Sequence, residues 1–365
     1  YACGQRSTFT ADPPYRVGAY NKTTGSFDTI AGSTISSHAL NPKCMVALGT
    51  DLFIGGTAAS SSTDGCLVKY DTLTGTTTWL NLLGAFDGGS GLYSSICNAL
   101  HVVGNDLYAT GVFEDADGTP VVNVAVYDTV GGTWSAMGGG ITSVAGQGYA
   151  LASIGSDIYL GGDFTEVDSV ADTNYVAVWT GAAWEALATG MDGIVYALKE
   201  YNGNMLAGGA FTGGVSEWST GSNDWTVLVG GTAGTVYALE VFLTDVYIAG
   251  DFTDLGSYIS KQSGGAWYPL AEGLDDIARA LVLDDTDVYV GGDFTTAGLK
   301  PVNAMAVYFD NFDAILDYLE NSSGFDLGQA IHNATAAAIT NTGEIPFWDS
   351  VTRKLRKITW TNIKA

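Results

Sequence analysis

Six segments of this chain repeat one short pattern: DLFIGGTA, DLYATGVF, DIYLGGDF, NMLAGGAF, DVYIAGDF and DVYVGGDF. Their marking glycines are Gly56, Gly111, Gly162, Gly209, Gly250 and Gly292, spaced by 55, 51, 47, 41 and 42 residues. Each pattern sits in a unit of four short apolar stretches. The first is a run such as VYALKE, VYALEV or ARALVL, and the second ends in the glycines. A third (CLVKYD, VAVYDT, VAVWTG, GVSEWS, NAMAVYF) follows a loop of variable length. The fourth carries Trp79, Trp134, Trp184, Trp225 or Trp267. Gly, Asn and Asp punctuate runs of strand length. Four strands at this period predict β-propeller blades, each of which must bury its faces against its neighbours. The first two strands, apolar almost throughout, are expected in the tightly packed inner layers.

Composition agrees with a large folded core: 46% of residues are hydrophobic and 15% charged. The net charge of −25 argues against a nucleic-acid or anionic-membrane partner, both of which call for a cationic footprint. No apolar run reaches the roughly 18 residues of a membrane-spanning helix. The numbering opens at Tyr1, which reads as a piece of something longer. Cys3, Cys44, Cys66 and Cys97 match no zinc spacing, and both disulfides and buried free thiols stay open.

The order of paired glycines, Tyr-Asp and Trp, clearest in YDTLTGTTTW and YDTVGGTW, resembles kelch repeats of galactose-oxidase-like propellers across residues 40–309. The resemblance implies an all-β fold: a β-propeller of about six four-stranded kelch-like blades, a seventh left open. Residues 16–31 read as a third and fourth strand lacking the first two. The last repeat lacks its fourth. The N-terminal strands 16–31 are therefore expected to close the ring, giving a propeller over 1–309.

Residues 310–365 read as a short α/β attachment segment. Phe312, Ile315, Leu316 and Leu319 fall at i, i+3, i+4 and i+7, an amphipathic helix capped by Asp310 or Asn311. It could dock on its own propeller or pair with another chain. Five of the 14 bases, Arg353, Lys354, Arg356, Lys357 and Lys364, fall in the final stretch. Ala330–Thr335, Glu344–Ser350 and Leu355–Ala365 resemble a linker of phage tail-fibre proteins, with an AIH-x-AT start, a D/E-(I/L/F)-P strand, a D-S turn and LKKITWANIKA opening a coiled helix. Read from the residues alone, two short strands followed by WTNIKA are a hairpin feeding a helix, with Thr361 as its N-cap. That resemblance implies a virion location, other tail proteins as partners, a host-surface glycan or protein as receptor, and a homotrimer.

No catalytic set stands out. Asp163, Asp251 and Asp293 recur in the GGDF pattern and read as turn acceptors. Glu114–Gly118 has the flavour of a calcium loop but lacks its later ligands. YDTVGGTW resembles a sialidase Asp box without its leading Ser, and Arg6, Arg16 and Arg279 are the only arginines before the tail. The three histidines, His38, His101 and His332, fit no copper site. Expected, then, are no catalytic residues, no metal and no cofactor, with ligands contacting the variable loops 57–65, 114–122 and 166–174. The competing expectation is a secreted bacterial cell-surface adhesin or carbohydrate-active propeller carried on the same linker.

Overall fold

A computed structural model describes residues 2–5, 15–21, 26–29, 40–58, 65–84, 86–87, 92–93, 95–284, 287–302, 304–309, 344–349 and 354–359. Among them every regular element is a β-strand. Three consecutive four-stranded antiparallel sheets occupy the middle of the chain. They begin at Gly148–Ile154, Ile194–Tyr201 and Thr235–Phe242, and in each the strands pair in sequence order. The two preceding units, beginning at Asn41–Leu48 and Ile96–Val103, have the same internal order. A bridge between Ile96 and Thr57 joins them into one larger sheet. The last unit, from Ala278–Asp284, has three strands and ends at Met305–Phe309.

The core lies between the sheets. Phe53 and Leu67 of the first unit pack with Leu107, Phe113 and Trp134 of the second. The same arrangement links the second unit to the third, the third to the fourth, the fourth to the fifth and the fifth to the sixth. The second to fifth sheets thus bury both faces against their neighbours in the chain, and the sixth buries one. The second strand is the most deeply buried, as in Met205–Gly209. The first strand, predicted to be equally buried, is half-exposed, because it pairs on one side only. In the last unit that exposure is larger, and Val282 is 54% exposed.

The paired glycines have a single cause. In every unit the first strand carries one extra residue: Lys43, Asn98, Tyr149, Tyr196, Tyr237 or Arg279. Such a β-bulge bends the strand toward its partner. A Cβ on the facing glycine would collide with a backbone carbonyl, that of Asn41, Ile96, Gln147, Ile194, Thr235 or Ile277. The colliding glycines are the six that mark the repeat. The first glycine of a pair does something else. At Gly161 and Gly208 it makes room for a Val and a Leu of the next unit's first strand. The phenylalanine closing the pattern plugs the interior, with Phe113, Phe164 and Phe294 fully buried.

In the segment expected to close a ring, Tyr15–Asn21 lies between Ala2–Gln5 and Ser26–Thr29 and pairs with both. Val17 is buried against Leu40, Leu52, Ile54 and Val68, on the free face of the first unit. Among the described residues Met305–Phe309 pairs with Asp287–Gly292 alone. The amphipathic stretch from Phe312 to Leu319 lies outside the described residues. Glu344–Asp349 and Lys354–Thr359 form an antiparallel hairpin, with Glu344 opposite Thr359 and Asp349 opposite Lys354.

Candidate functional site

First strands begin, second strands end and third strands begin at one end of every sheet. The bulge residues, the GGDF aspartates and the variable loops therefore share that end. The bulge residues form a row across six successive units. Lys43 Nζ reaches Asn98 Oδ1 at 3.4 Å, and Asn98 Nδ2 donates to Gln147 Oε1 at 3.3 Å and Gly148 O at 3.0 Å. The Tyr149 and Tyr196 rings lie 5.3 Å apart, and those of Tyr196 and Tyr237 5.2 Å, both tilted. The Arg279 guanidinium sits 5.7 Å from the centre of the Tyr237 ring, within cation–π range. Lys43 and Arg279 are exposed, and the four residues between them are half-buried.

The expected site residues fall around this row. Asp163 accepts the Gln147 N–H at 2.6 Å and the Tyr149 hydroxyl at 2.9 Å. Burial, then that bond to Asp163, pushes the Tyr149 hydroxyl well above its ordinary pKa. Asp293 takes no turn amide of this kind but pairs with Arg279, whose Nε and Nη2 donate to its Oδ2 at 2.8 and 2.6 Å. Asp251 is exposed at the equivalent position. The Glu114–Gly118 stretch is a tight hairpin. Asp115 Oδ1 accepts the Gly118 N–H at 2.8 Å across its turn. Among the described residues no group of three or more His, Cys, Asp or Glu could hold a metal ion. Of the loop 57–65, residues 59–64 lie outside the described residues. Loop 166–174 is pinned by Asp168, whose Oδ1 accepts the Gly139 N–H at 2.8 Å, and by the Thr173 hydroxyl.

A clamp not anticipated from the sequence sits at the same end. In the third to sixth units it ties a residue ahead of the first strand to one just past the second. In the fourth unit Asp192 accepts the amide and hydroxyl of Thr212, and in the sixth Asp275 accepts both from Thr295 and the amide of Thr296. In the third and fifth units the polarity reverses: Thr142 donates to Glu166, and Thr232 to Asp254. The bonds from Thr295 and Thr296 bring the Asp275 carboxyl down from 3.8 to about 2. Thr212 lowers Asp192; for Asp254, burial raises the carboxyl but the bonds from Thr232 and Ala233 outweigh it.

A carboxyl depressed in the folded state contributes stability that is complete above its unfolded value and is lost as pH falls through its folded value. Stability is therefore expected to decline between about pH 4 and pH 2 as these clamps protonate. Asp275→Asn should be less stable than the parent at pH 7, with the difference closing by pH 2. Urea unfolding across that range checks it, and a difference independent of pH contradicts the clamp.

Three cysteines gather beneath the row. Cys44 and Cys97 face one another as thiols at 3.8 Å, with Cys66 buried nearby. Burial pushes the Cys66 thiol far up. Cys97 is raised by its bond with Cys44 and then by burial, so neither is a poised nucleophile. His101 bonds Ser153 Oγ at 2.9 Å and is pushed down by burial and by Lys199, leaving it neutral.

No protein-family model matches this sequence, and no curated protein matches it. Many solved structures are similar in shape, two of which follow. One is the extracellular domain of a protein described as a hybrid two component system from B. thetaiotaomicron, at a TM-score of 0.50 and 11% identity. That likeness covers 73% of this chain and 35% of the other, so the chain spans about a third of that protein's length. The other is the computationally designed Ika8 protein, at a TM-score of 0.48 and 18% identity over 78% of this chain and 75% of that one. At such identities the likeness to the extracellular domain concerns the fold alone, and the chain is an all-β protein of repeated antiparallel sheets.

Proposed function

We propose that this chain is a kelch-like β-propeller that binds a host-surface receptor without catalysis, carried on a virion tail fibre by its C-terminal segment. The observation that carries the reading is the tail sequence Ala330–Thr335, Glu344–Ser350 and Leu355–Ala365, which resembles the tail-fibre linker. The hairpin of Glu344–Asp349 and Lys354–Thr359 falls within the same stretch and supports the reading. Six sheets packed face to face in chain order, with their first strands side by side, favour a ring. The N-terminal sheet sits on the first unit, and the exposed Val282 face of the last unit is the surface a closed ring would cover. A ring also leaves only short edges open to strand addition.

A lone hairpin buries too little surface to stand by itself, so the tail is assigned a partner in other copies of itself. Three tails on one axis would display three propellers and multiply weak receptor contacts. Light scattering on the 365-residue chain is expected to give three chain masses at micromolar concentration. A single chain mass would remove the trimer and recast the tail as a strap on its own propeller.

A further inference from the structure

We infer that the row Lys43, Asn98, Tyr149, Tyr196, Tyr237 and Arg279 binds a short run of pyranose residues of a surface polysaccharide; this rests on the receptor-binding reading and supplies its ligand class. All six are the extra residue of the bulge, the one place in the first strand with no partner in the second. Bulges re-aim side chains and gather beside functional sites. The residues just after the bulge are small or apolar, Cys44, Ala99, Ala150, Ala197, Ala238 and Ala280, as close packing demands. The bulge residues are instead large and polar or aromatic: Lys43, Asn98, three tyrosines and Arg279. Packing alone would not select them.

A pyranose has an apolar face of C–H groups and a rim of hydroxyls. Three half-buried tyrosine rings at 5.3 and 5.2 Å offer apolar, electron-rich surfaces for successive C–H faces. Planar hydrogen-bonding groups flank them, namely the Asn98 carboxamide, the Asp163 carboxylate and the Arg279–Asp293 pair. Such groups accept from or donate to neighbouring hydroxyls two at a time. Single-stranded nucleic acid also stacks on aromatic rows, but it needs a cationic groove. Here Asp293 neutralises Arg279, Asp163 stands beside Tyr149, and the chain carries −25. A docked apolar helix would leave Asp163 buried without water. A largely neutral saccharide satisfies the rings and the carboxylates together.

The test uses the 365-residue chain on an array of bacterial surface polysaccharides, with adsorption to the source cells measured in parallel. The parent chain is expected to bind at least one polysaccharide. Tyr196→Ala should weaken that binding about tenfold or more. Tyr196→Phe, which keeps the ring and so guards against a folding artefact, should stay within about twofold of the parent, as should Leu243→Ala in a turn at the opposite end of the sheets. If Tyr196→Ala binds a polysaccharide as well as the parent, the row is not the site, although the receptor reading stands. Adsorption to cells with no polysaccharide bound overturns the saccharide and points to a protein receptor. Adsorption to no cell in the panel removes the receptor reading itself.

Discussion

Replacing Gly209 with alanine is expected to destabilise the fold by about 3 kcal/mol, the upper range for forcing extra volume into a packed interior. The added methyl would meet the Ile194 carbonyl and the Phe211 ring, and that carbonyl is held just ahead of the bulge by the pairing of Ile194 and Val195 with the second strand. Gly208→Ala, one residue earlier, should cost only about 1 kcal/mol. Its methyl would touch Val236 and Leu239 side chains, which can shift, and the fifth unit already carries Ala249 at the equivalent position. Urea midpoints followed by tryptophan fluorescence separate the two. Equal costs would mean that the bulge does not impose the second glycine.

The fourth-strand tryptophans give the second large effect. Trp184 is 3% exposed, and its Nε1 donates at 2.7 Å to the Met137 carbonyl at the end of the preceding unit. Trp134 reaches back to Leu80 in the same way at 3.0 Å. These residues fill the space between sheets and also tie one unit to the one before it. Trp184→Ala is expected to cost about 3–5 kcal/mol through the cavity it leaves. Trp184→Phe should cost about 1–3 kcal/mol, because the Met137 carbonyl loses its donor. Trp225 is the informative contrast. Its indole nitrogen is buried without a hydrogen-bond partner, so Trp225→Phe should be close to neutral, a buried orphan donor having been removed. Equal losses for Trp184→Phe and Trp225→Phe would show that ring volume, not the tie to the preceding unit, governs this position.

Much of this architecture is legible in the sequence because it is local. The paired glycines, the Tyr-Asp turn and the tryptophan recur at fixed offsets. Asp71 and Asp128 cap their turns, accepting two amides each, as that pattern implies. The reason for the glycines was not legible, since a bulge is a property of the register between two strands. The row of bulge residues was half visible. VYALKE, VYALEV and ARALVL already place Tyr196, Tyr237 and Arg279 in one column, but Lys43 and Asn98 join it only when the pairing is known. The acid–hydroxyl clamps escaped because the acid changes sides between units, so no single column carries it. Asp163 and Asp293 looked equivalent in the sequence, yet their partners lie at the start of the first strand and differ, Gln147 and Tyr149 for one and Arg279 for the other.

The central claim is that these sheets close into a ring presenting the bulge row at one mouth. Images of the purified 365-residue chain by electron cryomicroscopy test it most directly. The account predicts a closed ring of radial sheets around a central opening, with density of the N-terminal sheet between the last unit and the first. An open crescent, with the Val282 face of the last unit bare to solvent, would contradict it.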